Sequence, residues 1–139
     1  MRDILDDELC EKLCIAAKEK ADELKIDISF AVCDENGFSL LFRRFGNSPV
    51  ISTKLVPNKA YTSAVMFMPT HKLAMLCRDG GPLMGLQNMD SKITLVSGGY
   101  PLFNGERCIG AIAVGGGRSG EDNMIAEHVL SVFEELTEG

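Results

Sequence analysis

The chain has 139 residues, 45% hydrophobic and 24% charged, a composition that fits one soluble globular domain spanning residues 1–139. A formal charge of −6 argues against a nucleic-acid partner, because phosphate contacts need a concentrated basic surface. No apolar run approaches the roughly 20 residues of a membrane span, and the acidic start MRDILDDELC reads as neither a secretory signal nor a transit peptide, so a cytoplasmic protein is expected.

Residues 3–25 predict an amphipathic helix, with Leu5, Leu9, Leu13, Ala17 and Leu24 at near-helical spacing and acids ahead of lysines. Cys10 and Cys14 share one face of it. Two thiolates at that spacing begin a metal site, but no second Cys or His pair stands nearby, so buried thiols are expected instead. The chain has five cysteines, an odd number without paired spacing, which fits thiols in a reducing compartment.

Residues 28–33 and 38–44 read as strands around Asn36-Gly37, a strong short hairpin signal. The second strand ends in Arg43-Arg44, whose forked donors suit a carboxylate or phosphate, or simply a solvated strand end. Residues 50–67 favour helix, with a kink or restart predicted at Pro57. Lys59, Tyr61 and Thr62 put polar groups into that otherwise apolar segment, while Met66 and Met68 read as core fillers. A short helix follows from about residue 70, with Thr70 as its expected N-cap and Asp79-Gly80-Gly81-Pro82 as its stop.

Residues 93–117 are the most unusual stretch. Two β-prone runs, 93–97 and 108–114, flank a Pro/Asn/Gly cluster, and seven glycines fall between Gly98 and Gly117. Glycine weakens strands, so their number implies bends, positive φ or close approach by another group, whether a ligand or a packed helix. A last helix is expected over 119–136, opened by Ser119 and Asp122 as an approximate capping box. The order is helix, hairpin, two helices, glycine-rich hairpin, helix, which predicts an α+β fold with helices packed on an antiparallel sheet.

Only two histidines are present. His71 lies at a turn-to-helix junction and suits a general base, an axial haem ligand or a capping role; His128 sits beside the apolar stripe of the last helix. Gly115 to Gly120 fits GxGxxG, but the chain ends before the second parallel strand that a dinucleotide fold needs, and Glu121 and Asp122 oppose a phosphate there.

Several elements together resemble the GlcG/HbpS-like family, which includes the C-terminal domain of PduO-type proteins. They are Val32-Cys33-Asp34-Glu35-Asn36-Gly37, Asn58-Lys59-Ala60-Tyr61-Thr62, Pro69-Thr70-His71, Gly80-Gly81-Pro82-Leu83, Gly98-Gly99-Tyr100-Pro101-Leu102 and Ile109-Gly110-Ala111-Ile112-Ala113-Val114. The resemblance covers nearly the whole chain. It implies a profilin-like sandwich around a five-stranded antiparallel sheet, a homo-oligomer of dimers or larger rings, and a link to haem or corrinoid (cobalamin) handling in diol, glycerol or microcompartment metabolism.

On that resemblance the expected ligand-binding set is Arg43, Lys59, Thr62, His71, Gly98 and Gly99. Lys59 and Arg43 would meet propionates or phosphate, His71 would meet haem iron, and the glycines would allow close approach. Two alternatives stand beside it: a small-molecule enzyme acting on a hydroxy acid, with Lys59 and His71 as acid and base, and a structural accessory subunit.

Overall fold

A computed structural model describes residues 4–118 and 120–138. The elements are α1 (Asp7–Leu24), β1 (Ser29–Asp34), β2 (Ser39–Arg44), α2 (Ser52–Met66), α3 (Thr70–Cys77), a 3-10 turn (Leu86–Asn88), β3 (Gly99–Asn104), β4 (Arg107–Gly115) and α4 (Glu121–Thr137). Among the described residues the sheet has four strands, not five, in the order β2-β1-β4-β3, with every pairing antiparallel.

The first hairpin forms as expected. Asp34 Oδ1 accepts from the amides of Asn36 and Phe38, and Gly37 takes φ +85°. That glycine is required twice over, since a Cβ there would stand 2.4 Å from the Tyr61 ring. The second hairpin is displaced from its expected place. Its first strand is Gly99–Asn104, while the β-prone run 93–97 is irregular. Gly99 and Pro101 disguise the strand, and proline is tolerated because β3 is an edge.

α1 ends on Lys25 in the left-handed region, after a start capped by Asp6, whose carboxylate accepts from the Leu9 amide. α2 runs from Ser52 to Met66 without a break at Pro57. Thr70 is not an N-cap; Pro69 occupies that position, and the Thr70 hydroxyl accepts from the Gly99 amide at 3.1 Å. The Ser119 half of the expected capping box lies outside the described residues. Asp122 instead accepts from the Gly117 amide at 2.8 Å.

The two sheet faces differ in kind. One carries Phe30, Val32, Tyr100, Leu102, Ile112 and Val114, and packs with buried residues of α1 and α4 in the main core. The other carries Ala31, Cys33, Ala111 and Ala113, and meets Val56, Ala60 and Ala64 of α2. Ser29 pairs with Gly115 and Gly99 with Ala113, so the floor beneath α2 is made of small residues. A floor of that kind lets the helix backbone sit close, and the glycines show how close. A Cβ on Gly99 would lie 2.6 Å from the Lys59 carbonyl, and one on Gly115 2.5 Å from Val56. Helix packing therefore accounts for Gly99 and Gly115 among these glycines.

Candidate functional site

Two polar groupings flank the α2 layer. The first lies where β4 ends. Lys59 is completely buried, and its Nζ donates to the Val114 carbonyl at 2.8 Å and stands 3.5 Å from Asp122 Oδ2. Burial lowers the Lys59 pKa, partly offset by Asp122; burial also raises that of Asp122, opposed by Lys59 and by the Gly117 amide. Gly98, at φ +123°, admits this arrangement: a Cβ there would come 2.4 Å from the Val114 carbonyl and 3.0 Å from Lys59 Nζ. Beside it, the hydroxyls of Ser29, Ser48 and Ser52 form a buried triangle with edges of 2.9, 2.7 and 3.0 Å.

The GxGxxG match falls in the same place. Asp122 takes the Gly117 amide, and Glu121 takes the Arg118 amide at 2.5 Å. Two loop amides just ahead of α4 that a phosphate could use are thus taken by the chain's own carboxylates.

The second grouping surrounds α3. His71 is half-buried, and its ring centroid lies 5.7 Å from that of Tyr100. The Tyr100 hydroxyl donates to Glu127 Oε2 at 2.7 Å, and burial together with that carboxylate pushes the phenol pKa up. His71 Nδ1 is buried without a hydrogen-bond partner among the described residues. One helical turn on, Met75 is exposed, and Arg78 follows at the helix end, also exposed.

From α3 the chain runs irregularly through residues 78–98, and two side chains of α2 hold it. Thr62, fully buried, accepts from the Thr94 amide at 2.9 Å, lies 3.2 Å from the Lys92 carbonyl and donates to Asn58 at 2.7 Å. The Tyr61 hydroxyl donates to Asp90 Oδ2 at 2.5 Å, with Lys92 Nζ 5.5 Å from the ring centroid. The Tyr61 hydroxyl and the Lys92 amide hold the Asp90 carboxyl below its usual range.

The six residues singled out by the sequence thus divide. Lys59, Gly98 and Gly99 meet at the α2 floor, Thr62 anchors the 90–94 segment, and His71 stands at the sheet edge against Tyr100. Arg43 is not brought to them. It pairs with Phe30 on the α1 face of the sheet and makes a two-pronged contact with Glu11, at 3.0 and 3.1 Å. Sequence reasoning missed Tyr100 and Glu127 as neighbours of the histidine, although Tyr100 stands in one of the quoted motifs. It also missed Asp122 as the partner of Lys59. An acid just after a glycine run, facing a lysine on an apolar helix, is the signal that would have found it. His128 is half-buried on α4, and its carbonyl accepts from Ser131. Among the described residues no group of three His, Cys, Asp or Glu side chains is placed to hold a metal ion, and no helix is long and apolar enough to cross a membrane.

Comparison with known proteins places this arrangement in context. A Citrobacter freundii protein described as an uncharacterized 15.0 kDa protein in the dhaT-dhaS intergenic region is 34% identical over 127 residues, covering 91% of this chain and 89% of that one. The corrinoid adenosyltransferase PduO of Citrobacter freundii is 30% identical over 127 residues; these are 91% of this chain but only 38% of PduO. Among solved structures, a PduOC:heme complex superposes with a TM-score of 0.87 at 28% identity, covering 91% of this chain and 93% of that one. The family described as haem degrading protein HbpS-like matches residues 5–131, and this chain belongs to it.

Proposed function

We propose that the protein is a tetrapyrrole-binding module, with haem as its ligand, and that the ligand is taken on the α3 surface that carries His71. The observation that carries this reading is the state of the imidazole. Lys59, Thr62 and Arg43 have their polar groups engaged within the protein, whereas His71 keeps a buried nitrogen without a partner. A buried polar atom left unmatched is costly unless something meets it. The surroundings suit haem: an exposed thioether at Met75 one turn along the helix, and the guanidinium of Arg78 for a propionate. Bound haem would supply an iron centre open to ligand exchange and redox change. Lys59, Gly98 and Gly99 support the site from behind by fixing α2 against the sheet, and Thr62 fixes the segment that returns to it.

The PduOC:heme relative favours haem, and the PduO relative keeps a corrinoid as the competing tetrapyrrole. We include in the proposal the accessory role in diol or glycerol metabolism and the cytoplasmic homo-oligomer that the family resemblance implies. No observation favours the hydroxy-acid enzyme, since Lys59 is wholly buried and bonded to main chain. Titration of the purified protein with hemin is expected to give a saturable Soret shift that His71→Ala abolishes, with hydroxocobalamin as the parallel arm. A flat hemin titration overturns the haem reading; an undiminished shift in His71→Ala overturns the ligand assignment.

A further inference from the structure

Residues 70–99 make one closed excursion from the body of the fold. Its neck is the hydrogen bond from the Gly99 amide to the Thr70 hydroxyl, so the segment leaves and returns at the same point, next to His71. α3 forms its first part. The remainder, 78–97, holds only a 3-10 turn, and none of those residues is fully buried. The Leu83 amide folds back on the Leu76 carbonyl at 2.8 Å, tying the two parts together. Toward the body, the far part is held where the Tyr61 hydroxyl donates to Asp90, where the Thr94 amide donates to the Thr62 hydroxyl, and where that hydroxyl meets the Lys92 carbonyl. A segment with little buried surface and a few polar ties opens at a lower free energy than the core.

We infer that residues 82–96 are a releasable strap, latched to α2 by Tyr61 and Thr62, whose opening frees the lobe that carries His71. This rests on the haem reading for its purpose, though not for its mechanics. Tyr61 is suited to the task because its ring is seated on Gly37 at the β1–β2 turn and its hydroxyl meets the exposed loop, so one side chain joins the sheet end to the strap. Lys92 reinforces it from above by lying over the ring. Release breaks polar contacts and leaves the α2 packing intact. Haem resting on His71 and Met75 would hold the lobe down, and the strap with it.

Limited trypsin digestion reads this directly, because Arg78 and Lys92 are cleavage sites within the excursion while Lys18 and Lys20 lie on α1. In the fast-opening regime cleavage tracks the open population. Tyr61→Phe, which removes only the hydroxyl, is expected to raise cleavage at Lys92 roughly five-fold, with the α1 sites unchanged. Thr62→Val should do the same, and saturating hemin should slow cleavage of the wild type. Unchanged cleavage at Lys92 in both variants overturns the latch, as does acceleration at Lys18 and Lys20 in step with Lys92. If hemin gives no Soret shift yet Tyr61→Phe still accelerates Lys92 cleavage, the haem reading fails and the latch stands. If hemin binds and neither variant changes cleavage, the reverse holds.

Discussion

At the end of β4 the protein commits its polar groups to itself, and around α3 it leaves some of them unengaged. Lys59, Asp122 and the Gly117 amide form a closed set, buried under α2, with a serine triangle beside it. His71 sits on a short helix that is part of an excursion held by side-chain ties, which also carries exposed Met75, Met84 and Met89. Both regions contain residue types that suggest chemistry. The second holds a titratable ring whose buried nitrogen has no partner among the described residues, whereas the titratable pair of the first is engaged internally, and that difference separates a lock from a site.

The sharpest way to break the comparison is at the lock. Lys59→Met leaves Asp122 buried without its cation, and loss of one member of a buried pair is expected to cost about 3–5 kcal/mol, read as a fall in the urea midpoint. A cost under about 1 kcal/mol would show that the pair holds nothing. Next comes the floor beneath it. Gly99→Ala places a Cβ 2.6 Å from the Lys59 carbonyl and 2.9 Å from Ser63 Oγ, and the overpacking should cost about 1–3 kcal/mol in the same assay.

A smaller effect should follow pH. Burial, the largest influence on Asp122, raises its carboxyl pKa in the folded protein above its ordinary value. The folded state therefore binds this proton more readily than the unfolded chain does. The resulting contribution is complete below the unfolded pKa and is lost as pH rises through the folded one. Asp122→Asn cannot titrate, so on going from pH 7 to pH 4 the wild type should gain stability relative to this variant. A constant difference across that range would refute the shift. The smallest stability effect belongs to His71→Ala, expected to stay within about 1 kcal/mol of the parent even though it removes the Soret response. A cost comparable to that of Lys59→Met would make the imidazole a structural member instead.

Much of the fold was legible because local signals and burial agree. The period of α1, the Asn36-Gly37 turn and the last helix each follow from side chains that act over a few residues. The misplaced strand failed for the opposite reason. Residues 93–97 have β-prone side chains but pair with no strand among the described residues, whereas Gly99–Asn104 has poor strand residues and a partner in β4. The site was legible only in part. Lys59 lies on the same helical face as Ser52, Val56 and Ser63, all buried, and that periodicity already points it inward. Arg43 was misleading because its carboxylate lies on α1, far back in the chain, and pairing at such separation leaves no local trace. His71 was recognisable as unusual, but its neighbours Tyr100 and Glu127 come from β3 and α4 and could be gathered only by the folded chain.

Pro101 has a consequence beyond disguising its strand. It occupies the middle of β3 at one margin of the sheet, and it has no amide hydrogen to offer to an incoming strand. The opposite margin, β2, has no proline through Ser39–Arg44, so every amide that faces away from β1 keeps its hydrogen. Ribbon-like growth of this sheet into a neighbouring molecule is thus hindered at the β3 margin more than at the β2 margin.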